Sequence, residues 1–190
     1  LSYVFDNARR IVAATDLPLT VDFEGAYSAD PEEGAANVAS LKETGAVGCN
    51  FEDQVIGGEG VHPLELQAER IAAIRAAVGA DFFINARTDL FLKNEAHDDA
   101  LVDAAIERGK AFAEAGASGF FVPRLTVPAQ AERVVWITQN FPALDRAVEA
   151  ALAEADVRYR TRDFGPYRVY HDFSQRVSPR EFDLSLSDEA

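Results

Sequence analysis

Two stretches of the chain read almost alike: Glu43-Thr44-Gly45-Ala46-Val47-Gly48 and Glu114-Ala115-Gly116-Ala117-Ser118-Gly119. Each has the form of a helix C-terminus, with glycine past the last turn and a small residue leading into an apolar run. A joint used twice implies a helix-then-strand unit that repeats. Repeated units of that kind leave few ways to close a core.

The remaining text follows the same order. Val4, Phe5, Ala8, Ile11 and Val12 form the stripe of a helix over residues 1–15, and Leu17 to Phe23 reads as a short buried strand. Asp30, Pro31 and Glu33 supply an N-cap, a proline at the first helical position and an acid three residues after the cap, so a helix starts there and stops near Gly45. Leu66, Ile71, Ile74 and Val78 mark another helix, ended by Gly79. From Asp98, the apolar positions Leu101, Val102, Ala105, Ile106, Phe112 and Ala113 mark a fourth, closed at Gly116. The runs Ala46–Phe51, Asp81–Ala86 and Ser118–Pro123 are the strands that follow these helices. They look apolar throughout, as parallel strands covered on both faces do, and recur at roughly 30 to 35 residues, the size of one βα unit. The expected fold is α/β: a partial TIM-type (β/α) barrel of four βα units, with an open parallel sheet as the alternative.

After Pro128 the pattern changes. Arg133 to Thr138 reads as a strand and Pro142 to Ala155 as a helix. Val157 to Phe173 alternates with period two around Gly165-Pro166, as an antiparallel hairpin does. The expected organisation is a partial barrel over 1–128, a small α+β segment of βαββ order over 129–177, and a disordered tail over 178–190.

Composition narrows the partners. With 190 residues and 48% hydrophobic content the chain can bury a substantial core. Its 32 acids against 18 bases give a net charge of −14, which argues against nucleic acid or an anionic membrane surface as a partner. A small anionic substrate would then need local cations or a metal. Cys49 is the single cysteine, so no internal disulfide forms and a reducing, cytoplasmic setting fits. No run approaches the ~20 apolar residues of a membrane span, and no basic-then-apolar leader opens the chain.

The strand ends carry the chemistry. In parallel βα folds the loops that follow the strands gather on one rim. Here those ends hold Asp22 and Glu24, then Glu52, Asp53 and Gln54, then Arg87 and Asp89, then Pro123 and Arg124. An isolated acid at such a place is ordinarily solvated or paired, but acids converging from several strands repel one another unless a cation sits among them or some are protonated. Oxygen donors without a His or Cys cluster point to Mg²⁺ or Mn²⁺. Arg87 offers a planar fork for a carboxylate or phosphate. His62, just before Pro63, suits a capping or surface role, and Cys49, inside an apolar run, suits the core.

Taken in order, "VDFEGAY", "GAVGCNFEDQ", "IGGEG", "FFINARTD" and "AGASGFFVP" resemble the successive motifs of the isocitrate lyase and phosphoenolpyruvate mutase family. The resemblance covers about residues 1–126 and corresponds to the third to sixth strands of that family's barrel. It implies a Mg²⁺- or Mn²⁺-dependent enzyme that makes or breaks a C–C or P–C bond of a small 2-oxo or 2-hydroxy carboxylic acid through an enolate. By the same resemblance Asp22, Glu24 and Glu52 match the acids that hold the metal, mostly through water, and Arg87 matches the arginine that grips the anionic substrate. Asn85 and Gln54, in the same motifs, stand with Arg87 as candidate substrate contacts. Lyases of the family carry a catalytic cysteine in the loop after the Glu-Asp motif; the loop here, Val55 to Gly60, has none and offers Glu59 as its acid. A phosphonopyruvate or oxaloacetate hydrolase or decarboxylase of the same family is therefore a rival reading, and an inactive half-barrel serving as an assembly or binding module is another. Apolar edge strands near Val21 and Phe121 would favour a homo-oligomer. The stretch from Val134 to Pro179 weakly resembles the soluble tail of a bacterial membrane glycosyltransferase.

Overall fold

Gly45 and Gly116 take φ values of +94° and +101°, the left-handed conformation that ends a helix cheaply only at glycine. The other glycine of each joint opens a strand where there is no room for a side chain. A Cβ at Gly48 would stand 2.7 Å from Phe83, and one at Gly119 would stand 2.9 Å from the side-chain oxygen of Asn85. The repeated text thus encodes a helix stop and a close strand contact.

The computed structural model describes residues 1–127, 129–131 and 133–134, together with the backbone of 159–164 and 167–172. The chain forms two compact units, Leu1–Ala147 and Val148–Ala190. In the first the order is α1 (Ser2–Val12), β1 (Thr20–Asp22), α2 (Pro31–Lys42), β2 (Gly48–Glu52), α3 (Leu64–Val78), β3 (Phe83–Arg87), α4 (Leu90–Lys93), α5 (Asp99–Glu114) and β4 (Gly119–Phe121). In the second, β5 (Tyr159–Phe164) and β6 (Tyr167–Asp172) pair antiparallel, with Phe164 opposite Tyr167.

The four strands of the first unit are parallel and lie in the order β1-β2-β3-β4. That order never reverses, unlike a doubly wound sheet, and α1 packs on α2, α2 on α3, and α3 on α5. Helix α2 begins as its sequence indicates: the Asp30 side chain accepts from the Glu33 N–H at 2.9 Å, and Pro31 takes the first helical position. Asp98 caps α5 in the same way, accepting from the Leu101 N–H.

Three local expectations need correction. Strands β2 and β3 alternate instead of being apolar throughout. Cys49, Phe51, Ile84 and Ala86 enter the core with Val38, Leu41, Ile71 and Ile74, while Asn50, Glu52, Asn85 and Arg87 occupy the alternate positions. Strand β1 is three residues long and exposed at Thr20 and Asp22, because only β2 pairs with it among the described residues. Arg133 and Val134, expected in a strand, are helical; the remainder of that run, the expected helix Pro142–Ala155 and the expected tail 178–190 lie outside the described residues. Among the described residues no helix is long and apolar enough to cross a membrane.

Candidate active site

The polar positions of the sheet build the site in two rows. Asp22, Asn50, Asn85 and Gly119 stand opposite one another across the four strands; one step of two residues further on, Glu52, Arg87 and Phe121 form the next row. Asp22 ends β1, and the second row ends β2, β3 and β4, so these residues lie at the C-terminal ends of the strands. Asn85 donates to the Asn50 side-chain oxygen at 2.7 Å.

Arg87 is the centre of charge. Its Nε and Nη2 donate to the two oxygens of Asp89 at 2.7 and 3.2 Å, the bidentate arrangement that orients a guanidinium best. Its Nη1 lies 3.2 Å from Glu52 and 3.8 Å from Asp22. Burial alone would lower the pKa of Arg87; the bond and charge of Asp89, followed by Glu52 and Asp22, more than offset this and raise it. Glu52 is almost wholly buried, at 3% exposure. Burial pushes its carboxyl up to about 7; Arg87 opposes that shift, and the charges of Asp89, Glu24 and Asp22 reinforce it.

Glu24 sits on the loop after β1. Its carbonyl accepts from the Glu52 N–H at 2.9 Å, which ties the two strand ends together. Glu24, Ala26 and Tyr27 have φ of +55°, +56° and +58°, three non-glycine residues in the left-handed region within four positions. Their loop forms one wall of a cavity of about 390 Å³, faced by Gln54, Val55, Ile56 and His62 from the glycine-rich loop and by Arg70 of α3. Burial, then the charges of Glu24 and Asp22, raise the Tyr27 pKa, so its phenol stays protonated. Burial, then Arg70 and Arg108, lower that of His62.

The expected residues divide accordingly. Asp22, Glu52 and Arg87 come together, Glu24 adds its charge from the adjacent loop, and Gln54 donates to Glu52 Oε1 at 3.3 Å. Asn85 belongs to the same face one row below. Glu59 is exposed and does not line the cavity. His62 makes no side-chain cap of α3; its backbone N–H donates to the Asp53 carbonyl at 2.7 Å. Cys49 is wholly buried and its thiol is pushed up to about 12 by burial, with Arg75 opposing, so it is an inert core residue.

Several residues of the site had no assigned role in the sequence. Asp53, next to Glu52, belongs to a separate bonded cluster: it accepts from the Thr88 hydroxyl at 2.7 Å, the Asp89 N–H at 2.8 Å and Arg108 at 3.0 Å. Burial raises its pKa against those bonds. Arg108 also donates to the His62 carbonyl, fastening the base of the glycine-rich loop. The doublet Glu52-Asp53 could have signalled this division, since successive strand residues point oppositely. Nothing local identifies Arg108.

Among the described residues no group of three or more His, Cys, Asp or Glu stands close enough to hold a metal ion directly. The donor chemistry nevertheless fits a hard divalent cation. Asp22, Glu24, Glu52 and Asp89 bring four carboxylates against the guanidinium of Arg87, and burial, reinforced by the charges of Asp89, Glu24 and Asp22, raises the Glu52 carboxyl in spite of Arg87, so added positive charge would favour its ionised form. A hydrated Mg²⁺ or Mn²⁺ held through water would supply it.

The chain is similar to known proteins of one family. The family model for phosphoenolpyruvate phosphomutase matches residues 1–158. The 2-methylisocitrate lyase of Escherichia coli is 36% identical over 134 residues, covering 66% of this chain and 43% of the lyase. A Burkholderia cenocepacia structure described as a candidate phosphonomutase is 42% identical with a TM-score of 0.69, covering 72% of this chain and 58% of that one. Phosphonopyruvate hydrolase in complex with oxalate and Mg²⁺ shares the fold at 21% identity and a TM-score of 0.60, covering 81% and 56%. The chain spans less than half the length of the 2-methylisocitrate lyases it matches. The expected end of the family likeness near residue 126 is too early, since the match runs to residue 158. These comparisons give no support to a glycosyltransferase tail from Val134, and the first part of that stretch lies inside the family match.

Proposed function

The chain belongs to the phosphoenolpyruvate phosphomutase family, and from that premise we propose that it acts with Mg²⁺ or Mn²⁺ on a C–C or P–C bond of a small 2-oxo or 2-hydroxy carboxylic acid through an enolate. One observation carries the proposal: adjacent parallel strands deliver Asp22, Glu52 and the Arg87–Asp89 pair to one rim, where acid outnumbers base and Glu52 titrates near 7. Asp22, Glu24 and Glu52 would hold the cation. When bound, the cation supplies Lewis-acid stabilisation of a developing enolate oxygen. Asp89 holds Arg87 by two of its nitrogens, so Nη1 is aimed at the space between Glu52 and Asp22, where a substrate carboxylate can take over the contact. Gln54 steadies Glu52 Oε1, and Asn85 fixes Asn50 below.

A hydrolase or decarboxylase of the same family is the second reading. The loop Val55–Gly60 has no thiol, and buried Cys49 cannot replace one. An inactive half-barrel serving as an assembly or binding module is the third, and it draws on the four parallel strands of the described residues.

Calorimetry with oxalate in the presence and absence of Mg²⁺ tests the proposal. Oxalate should bind only with the cation, and Arg87→Lys should weaken it about tenfold although charge is kept, because the fork is lost. No cation binding at millimolar concentration, or equal oxalate affinity in the two proteins, would sink it. Supplying 2-methylisocitrate, phosphonopyruvate and oxaloacetate in turn, and identifying the products, separates lyase from hydrolase. Cation binding with no product from any of them selects the half-barrel.

A further inference from the structure

Beneath the acidic rim lies a buried cation that the proposed chemistry does not use. Arg70 of α3 is 2% exposed, and among the described residues it has no carboxylate within ion-pair distance. Burial brings its pKa down to about 10, with Asp53 opposing, so it remains charged at neutral pH. Its guanidinium lies over the Phe51 ring at 4.7 Å. Nη2 donates to the carbonyls of Gly25 and Ser28 at 2.6 and 2.7 Å, and Nη1 donates to Gln67. Gln67, also wholly buried, donates in turn to the Glu52 carbonyl at 3.3 Å.

Two residues one turn apart on α3 therefore hold the backbones that carry Glu24 and Glu52. The loop they grip needs holding. Non-glycine residues in the left-handed region cost of order 1–3 kcal/mol each and persist only where their surroundings over-determine them. Glu24, Ala26 and Tyr27 are three such residues, and both carbonyls to which Arg70 donates lie within or beside them. The planar fork divides its bonds, Nη2 holding both carbonyls and Nη1 holding Gln67; the single nitrogen of an ammonium would not reach all three acceptors with the same geometry.

We propose that Arg70 is a positioning residue for the cation site: by clamping the Gly25 and Ser28 carbonyls, and Glu52 through Gln67, it sets the placement of Glu24 relative to Glu52. The proposal rests on the cation reading given above, but its effect on the loop stands without it.

Two amides report the loop directly. The Ala26 N–H donates to the Phe23 carbonyl at 3.0 Å and the Glu52 N–H to the Glu24 carbonyl at 2.9 Å. Amide hydrogen exchange at these positions, with MgCl₂ titration calorimetry, should be run on the wild type, Arg70→Lys and Arg75→Lys. Arg75 is a guanidinium of the same helix that also binds carbonyls, at the opposite end of the strands. Arg70→Lys should speed exchange at Ala26 and Glu52 about tenfold, leave Ile84 and Ala86 as in the wild type, and lower Mg²⁺ affinity by about tenfold, the usual effect of losing an outer-shell partner. Arg75→Lys should lose thermal stability with neither readout changed. A folded Arg70→Lys with wild-type exchange and Mg²⁺ affinity would overturn the proposal. Should Arg70→Lys not fold, Gln67→Met breaks the link to the Glu52 carbonyl without removing a buried charge, and should speed exchange at Glu52 and lower Mg²⁺ affinity by about tenfold; wild-type values of both there overturn the proposal equally. If the wild type binds no Mg²⁺, the cation reading fails by itself, and exchange at Ala26 and Glu52 decides the role of Arg70.

Discussion

The two ends of the parallel sheet solve opposite problems. At the N-terminal ends of the strands Arg75 donates to the carbonyls of Gly79, Phe82 and Gly116 and to the Ser118 hydroxyl, and Lys42 donates to the Val78 carbonyl. Neutral acceptors take up each of those donors, so the charge is dispersed over peptide dipoles. At the C-terminal ends the groups are mostly acids, and one guanidinium serves Asp22, Glu52 and Asp89 together. One end is electrostatically satisfied and the other is short of positive charge. A fold under no demand but stability would have little reason to bury Glu52 there. On the function proposed above, the imbalance is what a bound cation would relieve.

Breaking the satisfied end should give the largest effect on stability. Arg75→Ala removes the bonds to Gly79, Phe82, Gly116 and Ser118; the part-buried carbonyls of Phe82 and Gly116 lose this donor, while the Gly79 carbonyl is open to water and the Ser118 hydroxyl still accepts from the Ile84 N–H. A loss of about 4 kcal/mol is expected, at the usual 1–3 kcal/mol for each unmade buried bond with part of it recovered by water. Urea denaturation measures it. Mg²⁺ affinity should stay at the wild-type value in the folded fraction; a fall in affinity with little change in stability would mean that the two ends are not separable.

The unsatisfied end should respond to pH. The Glu52 carboxyl titrates near 7 in the folded chain against an ordinary value of 4.5. Because the folded state holds this proton more tightly, the contribution of Glu52 is intact below pH 4.5 and is lost as pH rises through 7. At 1.36 kcal/mol per unit the whole loss is up to about 3 kcal/mol. In metal-free buffer Glu52→Gln, which cannot ionise, should therefore be more stable than the wild type by about 2 kcal/mol at pH 8 and close to it at pH 4. Mg²⁺ should reverse the order at pH 8, since it stabilises only the ionised carboxylate. Equal stability of wild type and variant across this range would mean that Arg87 already neutralises the rim.

How much of this could be read in the sequence follows from the range of the interactions. The glycine stops at Gly45 and Gly116 and the caps at Asp30 and Asp98 depend on neighbours a few residues away, and the text shows them directly. The strand-end acids were legible in kind and place, because a parallel strand delivers its last residues to one rim. Their pairing was not. Asp22 meets Arg87 only through the register of three strands, and Arg108 reaches Asp53 from a helix 55 positions away. The alternation of β2 was hidden because Cys49 and Phe51 dominate a five-residue strand. Arg70 left one trace: a charged residue beside Ile71 and within the stripe that Ile71, Ile74 and Val78 bury. A charge on a buried helix face requires partners, and only the tertiary fold brings the carbonyls of Gly25 and Ser28 to it.

The smallest expected effect sharpens the comparison from inside the acidic end. Asp30 caps α2 by accepting from the Glu33 N–H, and Ser28, which donates to the Glu33 carboxylate at 2.8 Å, lies between this cap and the loop that carries Glu24. Two devices therefore border that loop: an exposed cap on one side and the buried Arg70 clamp on the other. Asp30→Ala should cost about 1 kcal/mol, the usual loss for an N-cap, visible as a small fall in the urea midpoint. If the clamp alone sets the loop, Mg²⁺ affinity and amide exchange at Ala26 should not change, because Arg70 still holds the Ser28 carbonyl. A fall in Mg²⁺ affinity larger than that small stability loss would transfer the positioning of Glu24 from the buried clamp to the helix start, and the acidic end would then be organised by local sequence as the glycine joints are.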